Sequence, residues 1–321
     1  MNQPAPRVSV IVPAYNAGAT IGRALDALEA QDVEAPYEVV VVDDGSSDDT
    51  ARIVAEGGKR VRLVRQANGG PAAARNHGVE KAAARALAFV DADCVPARGW
   101  LRAGLAALDA AELVQGQVVP DPAAARGPFD RTITVRREYG LYEAANMFVT
   151  RELFERLRGF EDWLSARVGK PLAEDVWFGW RARRAGARTA FCAEAVVHHA
   201  VFRRGPGGYI AERLRLVYFP AMVRKMPELR GAFLHRRLFL SRRSAAFDLA
   251  VVAAWVLAGG GASGRRIAGA LATLPYLRAL GAEATRGGGR AAIVGAFDVL
   301  ADATGLLALA VGSLRWRRCV L

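Results

Sequence analysis

"ALAFVDADCVP", residues 86–96, runs through five apolar residues and ends on two carboxylates, Asp91 and Asp93, one residue apart. Like charges at the end of a buried strand are costly unless they meet a partner. In a sheet of parallel strands covered on both faces, ligands bind beyond the carboxyl ends of the strands, so polar residues directly after apolar runs are where chemistry is expected. The same pattern occurs twice upstream, in "VSVIVPAYN" (8–16) and "VVVVDDGSSDDT" (39–50). Between and after these runs lie amphipathic stretches, "IGRALDALEAQ" (21–31), "DDTARIVAEG" (48–57), "PAAARNHGVEKAAA" (71–84) and "GWLRAGLAALDAA" (99–111), together with a short strand-like "VRLVRQ" (61–66). This alternation predicts an α/β fold with a mostly parallel sheet, and it puts the three polar segments on one edge. Each segment alone also has a plain reading. Asp44, Gly45 and Ser46, for instance, suit a turn and a helix cap.

Residues 112–200 are less regular: strand-like "ELVQGQVV" (112–119) and "AANMFVT" (144–150), a helix beginning at "AEDVWFGWRARRAG" (173–186), and "RTAFCAEAVV" (188–197) leading into His198 and His199. No repeat or low-complexity linker separates them from the first half, so 1–220 is expected to be one domain. Residues 221–321 are expected to form a basic and apolar helical region. The 321 residues are 52% hydrophobic and 24% charged, with a mean hydropathy of +0.11, a globular composition rather than a disordered one. Three cysteines, Cys94, Cys192 and Cys319, are too few for a disulfide framework or a cysteine zinc site, and the first residues lack a secretory pattern. Both features point to a cytoplasmic setting.

The net charge of +12 is regional: residues 201–243 hold eleven Arg or Lys against Glu212 and Glu228. Two apolar stretches follow, 245–262 and 293–314, close to the roughly 20 residues that a membrane helix needs. A basic segment beside apolar helices points to an anionic membrane surface and not to nucleic acid. Asp298 and Asp302 lie four apart, on one helical face, and such acids disfavour lipid exposure. Integral and peripheral attachment at the cytoplasmic face therefore both remain open.

Taken in order, "VSVIVPAYNAGATIGRALDAL", "VVVVDDGSSDDT", "NGGPAAARNHG", "FVDADCVP", "AEDVWFGWRARRAG" and "AVVHHA" resemble the family 2 glycosyltransferases over residues 7–220. That resemblance implies the GT-A fold with its Rossmann-like sheet, and inverting transfer of a sugar from a nucleoside diphosphate donor with a divalent cation, manganese or magnesium. It implies that Pro13, Ala14 and Tyr15 line the nucleotide pocket, that Asp44 bonds the base while Asp43 is structural, and that Arg75 lies near the phosphates. Asp91 falls on the ribose and sugar side and Asp93 on the metal. His199 matches a further metal ligand; strand alternation sends His198 to the opposite face, so one of the two serves. Glu174 and Asp175 match the acidic pair on the acceptor side, with Asp175 as general base and Trp177 and Asn146 as neighbours of the acceptor.

Acids at that helix start also complement its dipole, and tryptophans at helical spacing also suit a core. The processive synthases of the family that the chain resembles carry Gln-Xaa-Xaa-Arg-Trp after the base, and no such run follows Asp175, so the resemblance implies transfer of one sugar rather than polymer synthesis. A lipid-linked or cell-envelope glycan is the expected acceptor. Two other classes compete with this one. A nucleotidyltransferase would need a basic Gly-rich loop where the chain reads "PAYNAG", and a silent membrane-tethered scaffold would not need Asp93, Asp175 and His199 intact.

Overall fold

The computed structural model describes residues 5–164, 172–259, 263–284 and 291–321. The chain divides into two compact units, Met1–Ala125 with Thr132–Val201, and Arg126–Arg131 with Phe202–Leu321. The first unit is built on one eight-stranded sheet of β1 (Val8–Ala14), β2 (Tyr37–Asp43), β3 (Val61–Arg65), β4 (Ala86–Val90), β5 (Cys94–Pro96), β6 (Leu113–Pro120), β7 (Asn146–Thr150) and β8 (Thr189–His199), in the order β3-β2-β1-β4-β7-β6-β8-β5. Strands β1 to β4 pair parallel through β1, as their continuous apolar runs require. Helices α1 (Ile21–Glu29), α2 (Thr50–Ala55), α3 (Gly70–Lys81) and α4 (Trp100–Leu108) connect or follow these strands. The close seating of α3 depends on Gly78, where a Cβ would lie 2.5 Å from a methyl of Ile11 on β1.

Two later features complete the working edge. Strand β7 runs antiparallel to β4, with Asn146 opposite Val90; its beginning, not its end, therefore lies beside the end of β4. Strand β5 runs antiparallel to β8, with Cys94 opposite His199, so the end of β8 meets the Asp91–Asp93 turn. Helices α5 (Arg151–Arg156) and α6 (Glu174–Arg184) complete this unit. Beneath the edge, Trp100 and Phe148 are fully buried with ring centroids 4.9 Å apart, and removing such a ring costs about 3–5 kcal/mol.

The second unit is helical: α7 (Pro206–Arg213), a 3-10 turn (Leu214–Tyr218), α8 (Phe219–Lys225), α9 (Leu229–Ala232), α10 (Arg242–Ala258), α11 (Ser263–Ala284) and α12 (Ala291–Trp316). Helix α10 starts with a capping box in which Ser241 and Ser244 exchange side-chain and backbone bonds. The two acids of α12 turn inward. Asp298 accepts from the Tyr209 hydroxyl at 2.9 Å, and Asp302 accepts from Tyr276 and from Arg243 Nε, both at 2.8 Å. Leu300, Leu307 and Leu314 face outward, exposed, seven residues apart on one stripe. Among the described residues one helix, Ile293–Trp316, is long and apolar enough to cross a membrane, with mean hydropathy 1.7. Residues 260–262 of the apolar stretch 245–262 lie outside the described residues.

Candidate active site

Parallel pairing sets the ends of β1, β2 and β4 on one edge. The first two are stitched together. Ala14 accepts from the Asp44 N–H at 2.8 Å, the Asn16 N–H donates to Ser46 Oγ at 2.9 Å, and Asn16 Oδ1 accepts from the Ser47 N–H at 2.9 Å. Pro13 and Ala14 are the last residues of β1, and Tyr15 leaves them half exposed, at 50%. A tyrosine face open to solvent can take a flat base.

Asp43 and Asp44 differ in what they hold. Asp43 is wholly buried, with one oxygen on the Ser46 N–H (3.0 Å) and the other on Arg65 Nε (3.2 Å). Asp44 accepts from Gln66 Nε2 (2.7 Å) and from the N–H groups of Gly69 (2.8 Å) and Gly70 (2.9 Å). An ionised carboxylate has about four acceptor positions, so Asp44 shapes the "NGG" turn and keeps one position for a further donor.

The β5–β8 register brings His199 against the Asp91–Asp93 turn, and the Ala200 N–H closes it on the Asp93 carbonyl at 2.9 Å. His199 Nδ1 lies 2.7 Å from the Ala200 carbonyl, which can only accept, so that nitrogen carries the proton. The other nitrogen, Nε2, faces Asp93 Oδ2 at 3.7 Å. An imidazole fixed by a carbonyl on one nitrogen and aimed with the other is the usual form of a metal-ligating histidine. Asp93, Cys94 and His199 place their ligand atoms within 4.8 Å of one another. Burial, reinforced by Asp91 and Asp93, pushes the Cys94 thiol well up, which keeps it protonated and a poor ligand. The carboxylate and imidazole that remain fit a divalent cation sharing phosphate oxygens. His198 is on the other face of β8, where its Nδ1 is enclosed with no hydrogen-bond partner among the described residues and its charge bears on Asp121.

At the other end of the edge, Arg75 of α3 reaches out with both terminal nitrogens. Its Nη1 donates to Glu174 Oε1 at 2.9 Å and its Nη2 to Asp91 Oδ1 at 2.8 Å. Burial opposes its charge, but Asp91, Glu174 and Asp175 outweigh it and raise its pKa. One guanidinium thus ties the Asp91–Asp93 turn to the start of α6. Asp175 is held from the other side, its Oδ2 accepting the Ala144 N–H at 3.1 Å. Burial pushes its carboxyl up to about 8; Glu174 and Glu143 add to the rise, while Arg75 and the Ala144 N–H oppose it. A carboxylate that prefers its proton near neutral pH suits general-base work.

The remaining residues are placed less openly. Asn146 is fully buried and its amide is spent, accepting from Trp100 Nε1 (2.8 Å) and donating to the carbonyls of Gln117 (2.8 Å) and Ala195 (2.7 Å). It braces the sheet under the site. Trp177 is buried, donates to Glu161 Oε2 at 2.8 Å, and lies under Arg181 and Arg184. Glu143, which the sequence reading did not single out, stands beside Asp175 electrostatically. The rule of searching after apolar runs misses it because β7 runs antiparallel and the working residues precede that strand.

A curled α/β sheet with a carboxylate–imidazole pair at one strand end and a buried acid pair across an arginine is the arrangement of a GT-A glycosyltransferase, the class of enzyme that moves sugars from nucleotide donors. Residues 9–156 match the model of Glycosyl transferase family 2. It is 29% identical over 214 residues to Glycosyltransferase AglE of Haloferax volcanii, covering 62% of this chain and 68% of that one. It is 42% identical over 117 residues to Succinoglycan biosynthesis protein ExoO of Rhizobium meliloti, spanning only a third (33%) of that protein's length. Among solved structures, Mannosyltransferase PcManGT from Pyrobaculum calidifontis, in complex with GDP-Man and Mn2+, superposes with a TM-score of 0.63 at 26% identity, over 95% of this chain and 88% of that one.

Proposed function

We infer that the protein is an inverting, metal-dependent glycosyltransferase that moves one sugar from a nucleoside diphosphate sugar to a hydroxyl of a lipid-linked or cell-envelope glycan. The observation that carries this reading is the Arg75 bridge, which sets a metal-type corner and a buried base on two sides of one guanidinium. Tyr15 offers its face to the base, with Pro13 and Ala14 behind it and Asp44 holding the adjoining turn. Asp93 and His199 would hold the cation; when bound, it supplies positive charge to the departing diphosphate. An imidazole ligand suits manganese better than magnesium, which demands oxygen, and manganese is the ion in the mannosyltransferase complex.

Asp91, fixed by Arg75, faces the donor sugar. Asp175 takes the proton of the acceptor hydroxyl as its oxygen bonds to the anomeric carbon and the bond from that carbon to the diphosphate oxygen breaks. Attack from the face opposite the leaving group inverts the carbon. Glu174 anchors the start of α6 through Arg75, and Trp177 packs behind it. The reading puts the protein on the cytoplasmic face of a membrane; the basic stretch 201–243 and the outward apolar stripe of α12 support it, each basic residue near an anionic surface contributing about 1 kcal/mol.

The test is sugar transfer from GDP-mannose, then from other nucleotide sugars, with manganese and with chelator. Product whose anomeric configuration inverts, made only with the cation, is expected; retained configuration, or equal rates in chelator, overturns the reading. Fractionation without detergent tests the placement, which fails if all of the protein stays soluble.

A further inference from the structure

Glu143 sits in a loop that the structure holds with unusual care. Tyr142, just before it, is buried with a left-handed φ of 49°, a conformation costly for a bulky residue. Its ring occupies the space that a side chain on Gly179 of α6 would need, since a Cβ there would lie 2.1 Å from Tyr142 Cγ. Its hydroxyl donates to Glu138 at 2.9 Å, and Trp180 Nε1 of α6 donates to the Gly140 carbonyl at 2.9 Å. After Glu143, the Ala144 N–H holds Asp175, and Gln115 Nε2 donates to the Glu143 carbonyl at 3.2 Å. The backbone on both sides of Glu143 is therefore pinned to α6 and to β6.

The side chain at the centre of this frame is uncommitted. Among the described residues the Glu143 carboxylate meets no cation and no donor from another residue, only its own backbone N–H, although it is only partly exposed. Burial pushes its carboxyl up. A partly desolvated carboxylate met by one N–H keeps further acceptor positions that cost free energy unless a donor arrives to satisfy them. Acceptor-only oxygens beside the base call for a ligand with donors, and a sugar presents hydroxyls on adjacent carbons.

We propose that Glu143 is a specificity-determining residue that accepts a hydrogen bond from the acceptor sugar's hydroxyl next to the one deprotonated by Asp175. The proposal rests on the reading of Asp175 as the base. No bond is made or broken at Glu143; the proton moves to Asp175 and the electron pair of the broken bond leaves with the diphosphate.

The experiment uses full-length protein with manganese and follows nucleoside diphosphate release from GDP-mannose and UDP-N-acetylglucosamine. Octyl glucoside, octyl mannoside and their monodeoxy forms serve as acceptors. The wild type is expected to be accelerated by a glycoside, and E143A and E143Q to raise its half-saturating concentration about ten- to a hundredfold, the loss of a hydrogen bond to a charged group. One monodeoxy acceptor should show the same rise with the wild type and no further rise with E143A, the coupling expected of partners. Manganese-dependent GDP and UDP binding by E143A should stay within twofold, which shows an intact fold. An unchanged half-saturating concentration in E143A overturns the proposal, as does a wild type that no glycoside accelerates. If Asp175→Asn transfers sugar at the wild-type rate while E143A still raises the half-saturating concentration, the base assignment fails and the contact at Glu143 stands.

Discussion

One arginine gathers two carboxylates in each unit of the molecule, and the two clusters end differently. In the sheet unit Arg75 spans Asp91 and Glu174. In the helical unit Arg243 reaches Asp302 at 2.7 Å and Asp298 at 3.8 Å. Around Arg243 the two acids also accept from Tyr209 and Tyr276, which joins the helices, while Asp248 of α10 keeps an enclosed oxygen without a hydrogen-bond partner among the described residues. Around Arg75, among the described residues, no tyrosine intervenes: Asp175 lies beside the cluster with only backbone N–H donors and a carboxyl pushed up by burial. A satisfied buried network specifies packing, whereas an incompletely satisfied one stores reactivity. The comparison teaches that an acid in an apolar setting signals chemistry not by being left short alone, as Asp248 is, but by standing across an arginine from the Asp93–His199 corner, as Asp175 does.

The sharpest break in the comparison comes at that short acid. Asp175→Asn removes the base and should lower sugar transfer by about 10²–10⁴-fold, with manganese-dependent nucleotide binding retained, as read by rate assay and calorimetry on one preparation. The next effect is on stability. Arg75→Met leaves the buried Glu174 and the partly exposed Asp91 without their cation and should cost about 3–5 kcal/mol in urea unfolding. Arg243→Met leaves Asp298 and Asp302 with tyrosine donors and should cost about 1–3 kcal/mol, without change in nucleotide affinity. Equal costs for the two arginines would erase the distinction.

A pH series sharpens it further. The fold holds the Asp175 proton more tightly than the unfolded chain does. The resulting stabilisation is complete below the ordinary aspartate value of 3.8 and is lost as pH rises towards about 8. Asp175→Asn should therefore be more stable than the wild type at alkaline pH and similar to it in acid, by thermal melting. The wild-type kcat/KM should rise with pH over the same window as the base ionises. The smallest effect is Tyr276→Phe, which removes one hydroxyl from the Arg243 cluster and should cost about 1 kcal/mol, detectable as a lowered urea midpoint.

Much of the sheet unit was legible because local patterns coincide with local structure. The apolar runs ending in "PAYN", "DDGSS" and "DAD" mark parallel strands, and their ends share an edge because parallel pairing admits no other arrangement. The contrast between Asp43 and Asp44 was expected from the resemblance and not from alternation: both are buried, and they differ in the donors that they meet. What the sequence does not carry is contact across long separations. Arg75 meets Glu174 ninety-nine residues away and takes its place between two acids, with no phosphate needed to explain its charge. Asn146 reads as a residue at the mouth of a pocket but is sealed by Trp100, because β7 enters the sheet antiparallel and α4 packs over it. The same reversal hides Glu143.

The measurement that bears most directly on the account is sugar transfer by the wild type and Asp175→Asn, with manganese-dependent nucleotide binding followed in the same samples. Equal binding with transfer reduced at least a hundredfold is the expected result. Transfer by Asp175→Asn at the wild-type rate would contradict it.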